Sequence, residues 1–169
     1  QHAAYCENGL VRYCAMADEF DMPVHFRIKH TRLAYLIGNY LDLGPSGVEV
    51  PQVESVETVE EAIRSFYYPP VGMRSVGGRA RCGAARFEDL FDYAEWWNEY
   101  GVTWMQVESV QAVTSAYALA RDGVDCLSFG PADLTFDLKF NPHPDLKNVD
   151  DCIAHVARQL QGTGTALSF

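Results

Sequence analysis

Gln106 and Glu108 stand two residues apart in the β-rich run 102–108, so their side chains share one face of a strand with Trp104. A carboxylate turned toward a barrel interior is unfavourable unless it meets a cation. The next β-rich run, 124–129, passes into Ser128-Phe129-Gly130-Pro131-Ala132-Asp133-Leu134, which puts Asp133 just beyond its carboxyl end. Two carboxylates on neighbouring strand ends, with few other protein ligands, suit a hard divalent cation that keeps its waters, as Mg²⁺ does. The same residues also admit a plainer arrangement, in which Glu108 pairs with an arginine and Asp133 caps a turn. Arg27 lies within the run 24–28 between Phe26 and Ile28, where its guanidinium could clamp a carboxylate or an enolate oxygen. His25 is expected to face the opposite way and to be structural. His2, two residues from the start, reads as a mobile surface group. Lys29, Lys139 and Lys147 are the only lysines, and none has the desolvated, inward pattern of a Schiff-base lysine.

These residues need a scaffold, and the chain alternates strands with amphipathic helices. Strands are expected over 24–28, 48–52, 102–108, 124–129 and 166–169. Apolar helical faces are expected at Leu10, Cys14, Ala17 and Phe20, at Val56, Val59, Ile63 and Phe66, and at Val149, Ile153, Val156 and Leu160. Thr58 with Glu61 fits a capping box, and Asn148 with Asp151 a weaker one. Such alternation implies a parallel sheet of βαβ units, whose chemistry sits on loops at the carboxyl ends of the strands. An echo supports the repeat: Gln52-Val53-Glu54-Ser55-Val56 returns as Gln106-Val107-Glu108-Ser109-Val110, each where a strand gives way to a helix, although five residues can recur by chance and serine is simply a good N-cap. The segment 67–86, rich in Gly, Pro and Arg, can be neither helix nor central strand, and a loop of that length is usually functional or part of an interface.

The 169 residues, 48% of them hydrophobic, are enough for one sizeable core, and residues 1–169 read as a single domain. A formal net charge of −10 argues against a nucleic-acid partner, though not against a small anionic substrate held by one or two focused arginines. No run approaches a membrane span, and the first residues lack the pattern of a signal peptide. Five scattered cysteines without C-x-x-C spacing read as reduced, mostly buried thiols in a cytoplasmic protein.

From His2 to Phe169 the sequence resembles the HpcH/HpaI family of class II aldolases. The resemblance is carried by Gln1-His2, Pro23-Val24-His25-Phe26-Arg27, Leu41-Asp42-Leu43-Gly44, Gly47 through Ser55, Tyr68-Pro69-Pro70-Val71-Gly72-Met73-Arg74, Gln106-Val107-Glu108 and Gly123 through Leu134, in that order. It implies a (β/α)8 TIM barrel of which the chain carries about five βα units, with two strands upstream and the last strand and closing helices downstream. It further implies that Glu108 and Asp133 hold a divalent metal, Mg²⁺ or else Mn²⁺ or Co²⁺. By the same resemblance Arg27 and Gln106 contact a bound 2-oxo acid, backbone amides around Gly130 and Ala132 receive its carboxylate, and His2 is the catalytic base. Asp42 and the Arg74 loop match regions near subunit contacts, and the assembly implied is a homo-oligomer, a hexamer.

The activity implied is cleavage or formation of a C–C bond between a pyruvate-like enolate and an aldehyde. Oxaloacetate decarboxylation, or capture of the enolate by another electrophile as in the related macrophomate synthase, would use the same site. A non-catalytic barrel segment is the reading from a different class. The chain departs from the family pattern at Ala3, at Ser75 and at Thr135-Phe136-Asp137-Leu138, where small residues are usual. These departures lie where the second substrate would sit.

Overall fold

The computed structural model describes residues 5–169; His2 lies outside the described residues. Five strands, β1 (His25–Arg27), β2 (Gly47–Val50), β3 (Val102–Val107), β4 (Cys126–Phe129) and β5 (Ala166–Ser168), form one parallel sheet in chain order. All five overlap the runs expected from sequence, although β2 ends at Val50, short of the left-handed Gln52 that the run 48–52 included. The crossovers are helical: a 3-10 turn (Thr31–Leu36) and α2 (Ile37–Leu41), then α3 (Val56–Phe66) with α4 (Leu90–Tyr100), then α5 (Val110–Thr114) and α6 (Ala116–Leu119), then α7 (Pro131–Phe140) and α8 (Val149–Gln159). The first helix, α1 (Glu7–Asp18), precedes β1. Sequential parallel strands joined by helices on one face make this a (β/α)-barrel arrangement, here an incomplete one of five strands.

The period-two alternation of a strand sorts the side chains into two sets. Val48, Val50, Met105, Val107, Leu127 and Phe129 point outward and are buried in one core with Val59, Ala62 and Phe66 of α3, Leu119 of α6 and Val156 of α8. The other face carries His25, Arg27, Glu49, Trp104, Gln106, Cys126 and Ser128, as the register of paired strands requires. His25 therefore does not oppose Arg27, as expected above. Residues two apart share a face, and the His25 ring packs 4.8 Å from that of Trp104.

Two further expectations need correction. Ser55, not Thr58, caps α3, its Oγ accepting from the Thr58 amide, because only the residue ahead of the helix has the extended backbone that aims a side chain at the free amides. Phe20 lies beyond the end of α1 and is exposed, so the buried stripe of that helix reduces to Leu10 and Cys14. Asn148 does cap α8, accepting from the Asp151 amide at 2.9 Å. Cys14, Cys126 and Cys152 are buried free thiols, each pushed up to about 11 chiefly by burial, which leaves them protonated and unreactive at neutral pH. No helix of the described residues is long and apolar enough to cross a membrane.

The segment 67–86 is irregular until a short 3-10 turn at Ala84–Arg86. Arg74 anchors it from within the chain. Its guanidinium lies over the Tyr68 and Trp97 rings at 4.8 and 4.5 Å and donates to Asp42 at 3.0 Å. Asn98 of α4 adds a two-point clasp, accepting from the Tyr68 amide and donating to its carbonyl.

Candidate active site

Chemistry collects where the sheet ends. Glu108 follows β3 directly and is buried, only 6% exposed. Its Oε1 accepts a hydrogen bond from the Gln52 amide at 2.8 Å, while its Oε2 is buried without a partner. Burial is the main reason its carboxyl is raised from 4.5 to about 7. The neighbouring Asp133 carboxyl raises it further; the Gln52 amide and the Arg27 guanidinium oppose the rise. A buried, partnerless oxygen beside a second carboxylate is a strained arrangement for two anions and a comfortable one for a divalent cation. Among the described residues no group of three or more His, Cys, Asp and Glu converges as a metal cage. An ion held by Glu108 and Asp133 would thus draw its remaining ligands from water or substrate, which is how Mg²⁺ is usually bound.

Gln52 reaches Glu108 because its backbone is left-handed, with φ at 52°. The echo between the two five-residue runs is informative here. Residues of the echo are 54 apart, whereas the strand register pairs Glu49 with Trp104, an offset of 55. The left-handed turn at Gln52 absorbs that slip, since Val53 and Val107, equivalent in the echo, are both buried in the core. Glu54 and Glu108 border the same cleft, Glu54 exposed and Glu108 buried, and Ser55 and Ser109 cap their helices in the same manner.

Arg27 and Gln106, 79 residues apart in sequence, meet through a hydrogen bond from Nη1 to Oε1. That fixes the Gln106 amide with its Nε2 free to donate elsewhere. Glu49 and Ser128 form a second polar bridge deeper on the same face, with Ser128 Oγ donating at 2.5 Å. Neither residue was singled out from the sequence, although the alternation that exposed Gln106 and Glu108 would have found both.

Gly130 and α7 complete the site. The amide of Gly130 donates to the Val107 carbonyl at 3.1 Å, so it is not available to a substrate, contrary to expectation. The first-turn amides of Ala132 and Asp133 have no intrahelical acceptor and remain the donors for an anion, in the positive field of a helix start. What Gly130 provides is room. A Cβ there would run into Glu108 Oε2, lie 2.8 Å from Glu108 Cβ and 3.2 Å from Gln106 Nε2. Gly130→Ala should accordingly lower stability by about 1–3 kcal/mol and weaken divalent-ion binding at the same time. Urea denaturation and calorimetric Mg²⁺ titration would measure both, and an unaltered protein would mean that Glu108 can move aside.

Glu108 and Asp133 open onto a cleft of about 640 Å³ bounded also by His30, Arg32, Phe136 and Phe140. A second cavity, about 460 Å³, lies at the other end of the strands against Pro23, Val24, Gly44 and Tyr100. Its carboxylates, Asp18 and Asp21, stand among Arg79, Arg81 and Arg86, and Asp18 pairs with Arg86 at 3.7 Å. Of the residues expected to form a site, the structure brings together Arg27, Gln106, Glu108, Gly130, Ala132 and Asp133.

Comparison with known proteins agrees with this fold. Residues 12–168 match the model of the family described as HpcH/HpaI aldolase/citrate lyase. The 4-hydroxy-2-oxo-heptane-1,7-dioate aldolase of Escherichia coli is 32% identical over 131 residues, which are 77% of this chain and 50% of that protein. The chain thus spans about half the length of the curated relatives it matches. An HpcH/HpaI aldolase structure from Desulfitobacterium hafniense DCB-2 superposes with a TM-score of 0.84 at 30% identity, over 98% of this chain and 64% of that one. Macrophomate synthase superposes with a TM-score of 0.78 at 24% identity, over 98% and 60% respectively, a likeness of fold alone.

Proposed function

Because the chain belongs to the HpcH/HpaI aldolase/citrate lyase family, we propose that it serves a metal-assisted carbon–carbon lyase that cleaves a 4-hydroxy-2-oxo acid into pyruvate, or a close 2-oxo acid, and an aldehyde. The observation that carries this reading is the partnerless buried oxygen of Glu108 beside Asp133, above the Arg27–Gln106 pair. A divalent ion held by Glu108 and Asp133 (Mg²⁺, Mn²⁺ or Co²⁺) would supply Lewis-acid polarisation of the substrate.

The remaining work falls to the chain itself. The Ala132 and Asp133 amides receive the substrate carboxylate. Arg27 holds a fixed positive charge where the keto oxygen becomes negative. Gln106 keeps that guanidinium oriented and donates from its own amide. As the C3–C4 bond breaks, its electron pair passes to the 2-oxo acid as an enolate. The C4 hydroxyl loses its proton to a base, and its oxygen becomes the aldehyde carbonyl. Protonation of the enolate at C3 gives the 2-oxo acid. His2 is the proposed base.

The same proposal includes a cytoplasmic homo-oligomer. Arg74 is buried within its own chain, so exposed Val71, Met73 and Val76 of its loop would make the subunit contact.

Purified protein supplied with Mg²⁺ or Mn²⁺ is expected to release pyruvate from 4-hydroxy-2-oxo acids, and EDTA is expected to stop it. Turnover of oxaloacetate alone would replace the lyase with a decarboxylase. Absence of metal-dependent turnover of either would leave a barrel segment without this chemistry.

A further inference from the structure

The face of α7 that carries Asp133 does not end there. Asp133, Phe136, Asp137 and Phe140 recur at helical spacing i, i+3, i+4 and i+7, so they lie on one side of the helix, and all four border the cleft that contains Glu108. Phe136 and Phe140 are 66% and 72% exposed, two phenyl rings adjacent on one helix face, with the Lys139 ammonium 5.7 Å from the Phe140 ring. Asp137, between them, is already spent. Its Oδ2 accepts from the Val110 amide at 2.6 Å and its Oδ1 from Asn141 Nδ2 at 2.7 Å, so it braces α7 against α5 and does not offer a free charge to a ligand. Across the cleft stands Arg32, exposed and without an ion-pair partner among the described residues, a planar cation able to lie on an aromatic face.

The cleft also has more room than the reacting half of the substrate needs. A three-carbon 2-oxo acid fills only a minor part of about 640 Å³, which falls in the range of sites that enclose larger ligands. Glu108 and Asp133, the carboxylates of the proposed ion site, border this cleft, whereas Arg27 and Gln106, donors for that acid, do not line it. Phe136, Phe140 and Arg32 line the same cleft as those carboxylates.

We propose that the part of the cleft bounded by Phe136, Phe140 and Arg32 is the aldehyde subsite, and that the aldehyde it takes carries an aromatic ring, which packs on Phe136 and Phe140. This rests on the lyase reading given above and names the substrate class of that same site. In the synthetic direction C3 of the 2-oxo acid loses a proton and bonds to the aldehyde carbon, whose oxygen gains a proton, so an aryl aldehyde gives a 4-aryl-4-hydroxy-2-oxo acid with no oxidant or reductant required.

The test uses pyruvate, Mg²⁺ and two aldehydes, benzaldehyde and acetaldehyde. The wild-type protein should show kcat/KM for benzaldehyde at least about tenfold above that for acetaldehyde, the size of effect expected when a ring fits an aromatic-lined pocket. Phe136→Ala combined with Phe140→Ala should remove most of that ratio, and Phe136→Tyr should restore part of it. Both rings are exposed, so these changes should leave the fold intact, which circular dichroism would check. Exchange of the pyruvate methyl protons for deuterium, followed by NMR in the wild type, separates the two levels of the argument. No exchange overturns the lyase reading itself. Exchange without an aryl preference overturns only the subsite. A preference untouched by loss of the rings, accompanied by a change in sedimentation, would reassign Phe136 and Phe140 to a contact between copies of the chain.

Discussion

Glu108→Gln should cut metal-dependent turnover on the order of a thousandfold or more, as expected when a Lewis-acid site loses one of two protein ligands, and yet make the metal-free protein more stable. The second half follows from the carboxyl that burial holds up at about 7 against an ordinary 4.5. Between those values the folded chain binds more protons than the unfolded one, so stability is greatest below the ordinary value and declines as pH rises through about 7. At pH 8 the buried carboxylate therefore opposes folding, by up to about 3 kcal/mol at 1.36 kcal/mol per unit. Glutamine keeps the shape and the acceptor for the Gln52 amide while removing the charge. The variant should melt several degrees higher than the wild type at pH 8 and lose that advantage at pH 5. Added Mg²⁺ should raise the wild-type melting temperature by mass action and leave the variant where it was. A variant less stable than the wild type at both pH values would show that the carboxylate is stabilised in place, and the argument for a cation site would fall with it.

Arg27→Ala should lower kcat/KM by about 10²–10³, the loss typical of removing one preorganised donor at a developing oxyanion. Metal binding should survive, since Arg27 does not supply an oxygen ligand, and the Mg²⁺-dependent rise in melting temperature reports it separately. A further consequence marks the residue as electrostatic rather than merely structural. The Arg27 charge pulls the Glu108 carboxyl down from where burial alone would leave it, so its removal should move the acidic limb of the pH–rate profile to higher pH. Lysine should rescue little, because a point charge cannot reproduce the planar fork that meets Gln106 and a carboxylate together. A wild-type rate in the alanine variant would leave Arg27 as a packing residue on an inward face.

Much of this was legible residue by residue. The strand runs and the placement of Gln106 and Glu108 on one face come from alternation along a single strand. Asp133 just beyond the end of β4 follows from where that run stops, but the helix α7 in which it sits was not expected. Two errors came from misapplied local rules: His25 shares the face of Arg27 because both obey the same period, and Ser55 caps α3 because it precedes the first helical turn. The helix α4 carried little apolar pattern; its buried positions are Tyr93 and Trp97, and its partner is the loop 67–86, which has no period of its own.

Alternation, capping and turn chemistry are interactions among residues a few positions apart, and the order of amino acids alone determined them: five parallel strands, the helices α1, α3 and α8, and the parity of each side chain. The meetings that make a site were decided only by the tertiary structure. Arg27 reaches Gln106 and Glu49 reaches Ser128 across 79 residues each, and the left-handed Gln52 offers its amide to Glu108 across 56. Those distances depend on strand register and sheet curvature, which follow from packing the outer faces against the helices. The two copies of the Gln-Val-Glu-Ser-Val run show the same thing: both glutamates border one cleft, yet only Glu108 is buried there and accepts the Gln52 amide, a difference made by packing and not by the run itself.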